Sequence, residues 1–204
     1  MSQIDELLAN FDQKVRDQRF NLVAGADESG RGALAGPLVA AAAILPNKAF
    51  IKDLQDSKKL TAKKRQELYK VITKVAVSWK VVRIEAKEID RLGLEKANIL
   101  ALERALRGLS PSPDYILTDK YEAASLTIPH LGVIKGDCVS ASIAAASVIA
   151  KVTRDRIMTD YHKLYPRYRF DLHKGYGTKA HLTALKEWGP SPIHRHSFSR
   201  VKDL

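Results

Sequence analysis

A run of small and apolar residues, Asn21-Leu22-Val23-Ala24-Gly25-Ala26, leads directly into two adjacent carboxylates, Asp27 and Glu28, and then into Ser29-Gly30-Arg31-Gly32. The run reads as a buried strand. Two acids at the end of a buried strand are costly unless a metal ion or a paired base compensates their loss of water. Glycine on both sides of Arg31 lets the backbone approach another molecule closely.

Strand-length and helical patterns continue along the chain. Ile4, Leu7, Leu8 and Phe11 fall at helical spacing and predict an opening helix. Residues 38–45 predict a second strand, ended by Pro46-Asn47. Thr61 is positioned to cap a basic helix over residues 62–75, and a third strand follows over 77–84. Helical pattern runs over 86–106 with a break at Gly93, and Gly108 and the Pro111–Pro113 turn stop it. A short strand is expected over 114–118 and another within 125–134. A long helix over 139–164 is crowded with alanine in its first half, at 141, 144, 145, 146 and 150, which suggests close packing on a sheet. A last helix spans 178–188 before Gly189-Pro190. No repeat or low-complexity linker interrupts this order.

With 204 residues, the chain is long enough for one domain with a proper core, or one domain and an appendage. Its net charge of +11 points to a polyanionic partner. Charge also concentrates: residues 161–204 hold nine Lys/Arg against three Asp/Glu, and seven of the fourteen aromatics. Cations suit phosphates and rings suit sugars or bases, so this portion reads as part of a nucleic-acid surface or as a small aromatic-cored subdomain. The single Cys138 excludes a disulfide within the chain and a cysteine-based zinc site, and fits a reducing compartment. No apolar stretch approaches the roughly 18 residues that span a bilayer, and no signal-peptide pattern opens the chain. A cytoplasmic protein is expected.

Further acids lie at or near the ends of predicted strands: Asp119 in Ile116-Leu117-Thr118-Asp119, and Asp137 in Lys135-Gly136-Asp137. Strand ends are where sites assemble in an open α/β sheet, and carboxylates are hard ligands for Mg²⁺ or Mn²⁺. Read singly, Asp137 serves equally well as a helix cap and Asp119 as a turn residue. As a set, four converging acids would require cations. Other templates fail. Gly30, Gly32 and Gly36 are spaced one residue too long for a dinucleotide fingerprint, and neither a Walker A sequence nor a G-x-S-x-G elbow is present. His173, His181, His194 and His196 match no common zinc spacing, so solvent or phosphate contact is their expected role.

The chain resembles the ribonuclease HII (type 2 ribonuclease H) family through several motifs in family order. These are Asp27-Glu28-Ser29-Gly30-Arg31-Gly32 with Gly36-Pro37, Asp56-Ser57-Lys58-Lys59-Leu60 and Lys135-Gly136-Asp137. The run from Ser142 to Asp155 follows, then Lys174-Gly175-Tyr176-Gly177-Thr178 and His194-Arg195-His196-Ser197-Phe198. About twenty residues precede the first strand, which points away from the related ribonuclease HIII with its extra N-terminal domain.

The resemblance implies an α/β ribonuclease H-like fold: a central mixed sheet flanked by helices, a catalytic core over residues 1–160, and a basic helical C-terminal portion over 161–204. It implies an endonuclease that hydrolyses the RNA strand of RNA–DNA hybrids and nicks 5′ of ribonucleotides embedded in duplex DNA. By carry-over, Asp27, Glu28, Asp119 and Asp137 would hold two Mg²⁺ or Mn²⁺ ions. Gly30, Arg31, Gly32 and Tyr176 would sense the ribose 2′-OH, the group that separates RNA from DNA. Lys58, Lys151 and Arg195 are expected as phosphate contacts, with Ser57 and Ser147 also at the substrate. One departure stands out: the family often has glycine after its third acid, where this chain has Lys120. A monomer is expected, and no clamp-binding motif is visible at Val201-Lys202-Asp203-Leu204, so a sliding-clamp partner has no support. Competing classes are a non-catalytic nucleic-acid binder and a junction resolvase on the same fold.

Overall fold

The computed structural model describes residues 3–55, 57, 60–121 and 126–202. Five strands form one mixed sheet in the order β3-β2-β1-β4-β5. The central strand β1 (Val23–Ser29) runs antiparallel to β2 (Leu38–Ile44) and parallel to β4 (Tyr115–Asp119). Outside them lie β3 (Ser78–Ile84), antiparallel to β2, and β5 (His130–Val133), parallel to β4.

Side chains alternate across a strand, and β2 shows how both of its faces are used. Val39, Ala41 and Ala43 pack with α2 (Ala62–Val75) and α5 (Ala141–Leu164). Leu38, Ala40, Ala42 and Ile44 pack with α3 (Ala86–Leu92) and α4 (Leu94–Arg107) on the other side. Both faces being covered, every residue of β2 is buried. The alanine-rich half of α5 does pack closely. A Cβ at Gly25 of β1 would fall on the Ser142–Ile143 backbone of α5, so glycine is what lets the helix descend onto the strand. The N-terminal helix α1 (Gln3–Arg16) is tied to the start of α5 by the buried carboxylate of Asp12. It accepts from Ser140 Oγ at 2.6 Å and Ser142 N at 2.9 Å. Burial pushes this carboxyl up, and the serine bonds oppose the shift.

After α5 come a 3₁₀ turn (Pro166–Tyr168) and the helices α6 (Phe170–His173), α7 (Lys179–Trp188) and α8 (Ser199–Lys202). The C-terminal portion is helical, as expected, and α5 passes unbroken through residue 160 into it. Leu34, Ala35, Met158, Phe170, Leu185 and Val201 share a separate apolar cluster, so this portion packs on the loop that follows β1. Isolated bridges Ala33–Tyr176 and Ala35–His194 hold that loop on both sides. Among the described residues no helix is long and apolar enough to cross a membrane.

Two expected boundaries shift. β1 continues to Ser29, with Asp27 opposite Ala41 and Glu28 opposite Ala40, and β4 includes Asp119. The acids lie inside the strands because the neighbouring strand goes on offering backbone partners beyond the apolar run.

Candidate active site

Parallel strands deliver their C-terminal ends to the same edge of a sheet. β1 and β4 pair with Ala26 opposite Thr118, so continuing that register by one residue sets Asp119 level with Asp27. Asp27, Glu28 and Asp119 line one cleft of about 550 Å³, together with Gly30, Arg31, Gly32, Ser57, Ser147, Lys151 and Tyr176. The two halves of the sequence that carry the expected site therefore meet in space.

Asp27 is buried and faces α5, where the Ser147 hydroxyl bonds it. Ser147 Oγ in turn lies 2.9 Å from Ser57 Oγ, so both serines form a chain leading to the carboxylate. Burial, together with the charges of Glu28 and Asp119, pushes the Asp27 carboxyl up to about 8, against the pull of the Ser147 bond. Asp119 Oδ1 accepts from the Gly136 amide at 2.8 Å. That bond brings the 3₁₀ turn Gly136–Cys138 against the end of β4. Asp137 lies in this turn, buried, one residue beyond the bond, and is not among the described residues that line the cleft. Among the described residues, no group of three or more acids, histidines or cysteines closes to metal-holding distance. The three cleft carboxylates nonetheless fit a divalent cation: all are hard oxygen donors, and Asp27 is stressed by the negative charge that a cation would offset.

One turn along α5 from Ser147, Lys151 Nζ lies 2.7 Å from Asp155 Oδ1 and 5.6 Å from the centre of the Tyr176 ring. The Arg154 guanidinium sits 5.2 Å from the same ring. Arg31 turns its guanidinium to Glu95, at 2.6 Å, and stacks over Tyr121 at 5.0 Å. Lys58 lies outside the described residues.

Arg195, expected at phosphate, is fully buried. Its guanidinium donates to Gly36 O at 3.1 and 3.0 Å and to Arg31 O at 2.9 Å, which leaves it facing backbone carbonyls of the loop. Arg154, also fully buried, donates to Ala35 O, Pro37 O and Lys174 O. Burial drives both guanidinium pKa values down, Arg195 to about 9 with Arg154's charge adding to the fall. Two buried cations thus clamp the segment that follows Gly-Arg-Gly. His181 and His194, expected at solvent or phosphate, are buried too, because the C-terminal portion uses them in its own core. Sequence reasoning missed Arg65, which lines the cleft from the basic helix α2. It also missed Arg154, visible only as one residue of a longer motif.

The Ribonuclease HII family model matches residues 24–201. A ribonuclease HII of Caldanaerobacter subterraneus subsp. tengcongensis is 46% identical, over 92% of this chain and 78% of its own length. One from Rhodococcus opacus is 52% identical, over 89% of this chain and 81% of its own. Among solved structures, the ribonuclease H2 from Pyrococcus horikoshii OT3 superposes with a TM-score of 0.76 at 27% identity, covering 89% of this chain and 95% of that one.

Proposed function

This chain belongs to the ribonuclease HII family, and from that premise we propose that it is a metal-dependent endonuclease. Its substrates are the RNA strand of RNA–DNA hybrids and, with a nick on the 5′ side, single ribonucleotides embedded in duplex DNA. The observation that carries this reading is the meeting of Asp27, Glu28 and Asp119 with the Gly30-Arg31-Gly32 loop and Tyr176 in one cleft.

Asp27, Glu28 and Asp119 would hold the divalent ions, Mg²⁺ or Mn²⁺, with Asp137 beside Asp119 as the fourth acid. When bound, two such ions supply Lewis-acid activation of water and stabilisation of the leaving 3′-oxygen, giving 3′-hydroxyl and 5′-phosphate ends. Ser57 and Ser147 fix the Asp27 carboxyl in orientation. The Gly136 amide does the same for Asp119. Lys151 and Arg65 bring positive charge to the cleft for the substrate backbone. Gly30, Arg31 and Gly32 meet the ribose at an RNA–DNA junction through their backbone, and Tyr176 packs against the adjoining sugar. Removal of misincorporated ribonucleotides and of RNA primers is the role that this specificity serves.

The test is cleavage of a DNA duplex carrying one ribonucleotide, with Mg²⁺ or Mn²⁺. Wild type should cut 5′ of the ribonucleotide and leave all-DNA duplex intact. Asp27→Asn should lose at least about 100-fold in kcat, as expected for a group that stabilises transition-state charge. Absence of cleavage by wild type, or undiminished cleavage by the variant, rejects the proposal. Cutting of all-DNA junctions would favour a resolvase.

A further inference from the structure

Behind the cleft, the C-terminal portion buries a chain of histidines whose protonation pattern is set by what each nitrogen touches. His181 Nδ1 lies 3.0 Å from the Tyr176 carbonyl oxygen. A carbonyl only accepts, so Nδ1 carries the hydrogen and, in the neutral ring, Nε2 is bare. His194 Nε2 lies 3.0 Å from that bare nitrogen and must donate to it. His194 Nδ1 is then bare, and accepts from the Ser191 amide at 2.8 Å, a group that can only donate. Beside them His173 Nε2 faces the Tyr168 carbonyl at 2.7 Å, while its Nδ1 accepts from Gly175 N at 3.2 Å. Every assignment is consistent with the next.

The surroundings keep these rings uncharged. His181 and His194 are fully buried. Burial, with the neighbouring imidazoles, lowers His181 to about 4 and His194 to about 3. The chain also has a direction. It starts at Ser191, passes through both rings and ends on the backbone of Tyr176. The residue before Tyr176 is equally confined: Gly175 has φ +82°, and its carbonyl accepts from Leu34 N at 2.8 Å, in the loop that follows Gly-Arg-Gly. The Tyr176 carbonyl also accepts from Thr178 N at 2.8 Å, and the polar chain adds a second donor to it from the C-terminal core, which leucine in place of His181 could not.

We propose that His181 is a positioning residue for substrate reading: its Nδ1–H holds the Tyr176 carbonyl, and His194 holds His181 in the tautomer that makes this bond. The inference rests on the reading of Tyr176 as the group that packs on the sugar at an RNA–DNA junction.

Two substitutions in the full chain separate the bonds. In His181→Asn the amide nitrogen takes the place of Nδ1 and keeps the bond to Tyr176. In His181→Gln the amide lies at the Nε2 position and abandons it. The readout is the ratio of kcat/KM on a duplex with one ribonucleotide to kcat/KM on an all-RNA–DNA hybrid, with Mg²⁺. His181→Asn should keep that ratio within about twofold, and His181→Gln should lower it about five- to tenfold, the worth of one hydrogen bond. Parallel losses on both substrates, or indistinguishable Asn and Gln variants, overturn the inference. Nitrogen NMR of the wild type at pH 7 tests the hydrogen-bond assignment without any variant: His181 must carry its proton on Nδ1, and an Nε2–H tautomer overturns the inference. Tyr176→Ala separates the two levels. If it leaves the ratio unchanged, the reading of Tyr176 itself fails. If it shifts the ratio while the His181 pair does not, only the positioning role fails.

Discussion

Lys120 adopts a φ of +70°, in the left-handed region where a side chain costs about 1 kcal/mol or more. It follows Asp119 at the point where β4 ends, and its amide donates to Val133 O at 3.0 Å. The family's frequent glycine at this place now has a conformational reason. Lys120→Gly should therefore melt at or slightly above the wild-type temperature, while Lys120→Val, β-branched at positive φ, should melt below it, by about 1 kcal/mol or more. Thermal denaturation of the three proteins checks the order. The departure at this position was legible in the sequence; the backbone conformation behind it was not, because Lys rarely signals positive φ. His181 and His194 also link stability to pH. Their folded pKa values lie below the unfolded value near 6.5, so the unfolded chain takes up protons first as pH falls. Their contribution is complete above about pH 6.5 and is lost as pH falls through about 4 and 3. Each can cost up to roughly 1.4 kcal/mol per pH unit in that window. Urea unfolding between pH 4 and 7 should show this fall, with a shallower slope in His181→Asn.

At the scale of elements, the joint that matters most is α5 on β1. Gly25 is what permits it, and the Ser142–Ile143 backbone of α5 sits where a Cβ would be. Gly25→Ala should cost about 3 kcal/mol, the upper end for overpacking, because neither a strand centre nor a helix backbone can yield cheaply. Chemical denaturation measures it, and a loss under about 1 kcal/mol would refute the close approach. Much at this scale could be read from the chain. Helix α2 occupies its expected residues 62–75 because Thr61 caps it, accepting from Lys64 N at 3.2 Å, and because Leu68 and Ile72 mark one face. The alanine run foretold the packing of α5. The ends of β1 and β4 lie beyond those the local sequence suggests, since acids look like terminators, whereas strand length is decided by backbone pairing with neighbours that local sequence does not reveal. Helices α6 and α8, four residues each, are too short to show a period.

For the molecule as a whole, the charge of +11, with Arg65 and Lys151 at the cleft, predicts binding dominated by phosphate contacts. Affinity for duplex should fall steeply as salt rises, and Lys151→Ala should reduce the slope of log K against log salt by about one. Titrations at several salt concentrations test it; an unchanged slope would remove Lys151 from the interface. The acids of the cleft were legible from their places near strand ends. The clamp on the loop after Gly-Arg-Gly was not. Arg195 and Arg31, joined by a 2.9 Å bond, stand 164 positions apart, and nothing in local pattern distinguishes an arginine buried against carbonyls from one at solvent.

That separation has a consequence for how the protein comes into being. Synthesis runs from the N-terminus, so a growing chain has made Asp27, Glu28 and Asp119 long before residues 193–195 leave the ribosome. Until then the loop after Gly-Arg-Gly lacks the Ile193, His194 and Arg195 contacts on one of its two sides. The nascent polypeptide thus carries its acids early and gains these contacts only once residues 193–195 are made, so truncation before them strips the loop of one side of its support while leaving Asp27, Glu28 and Asp119 in the chain.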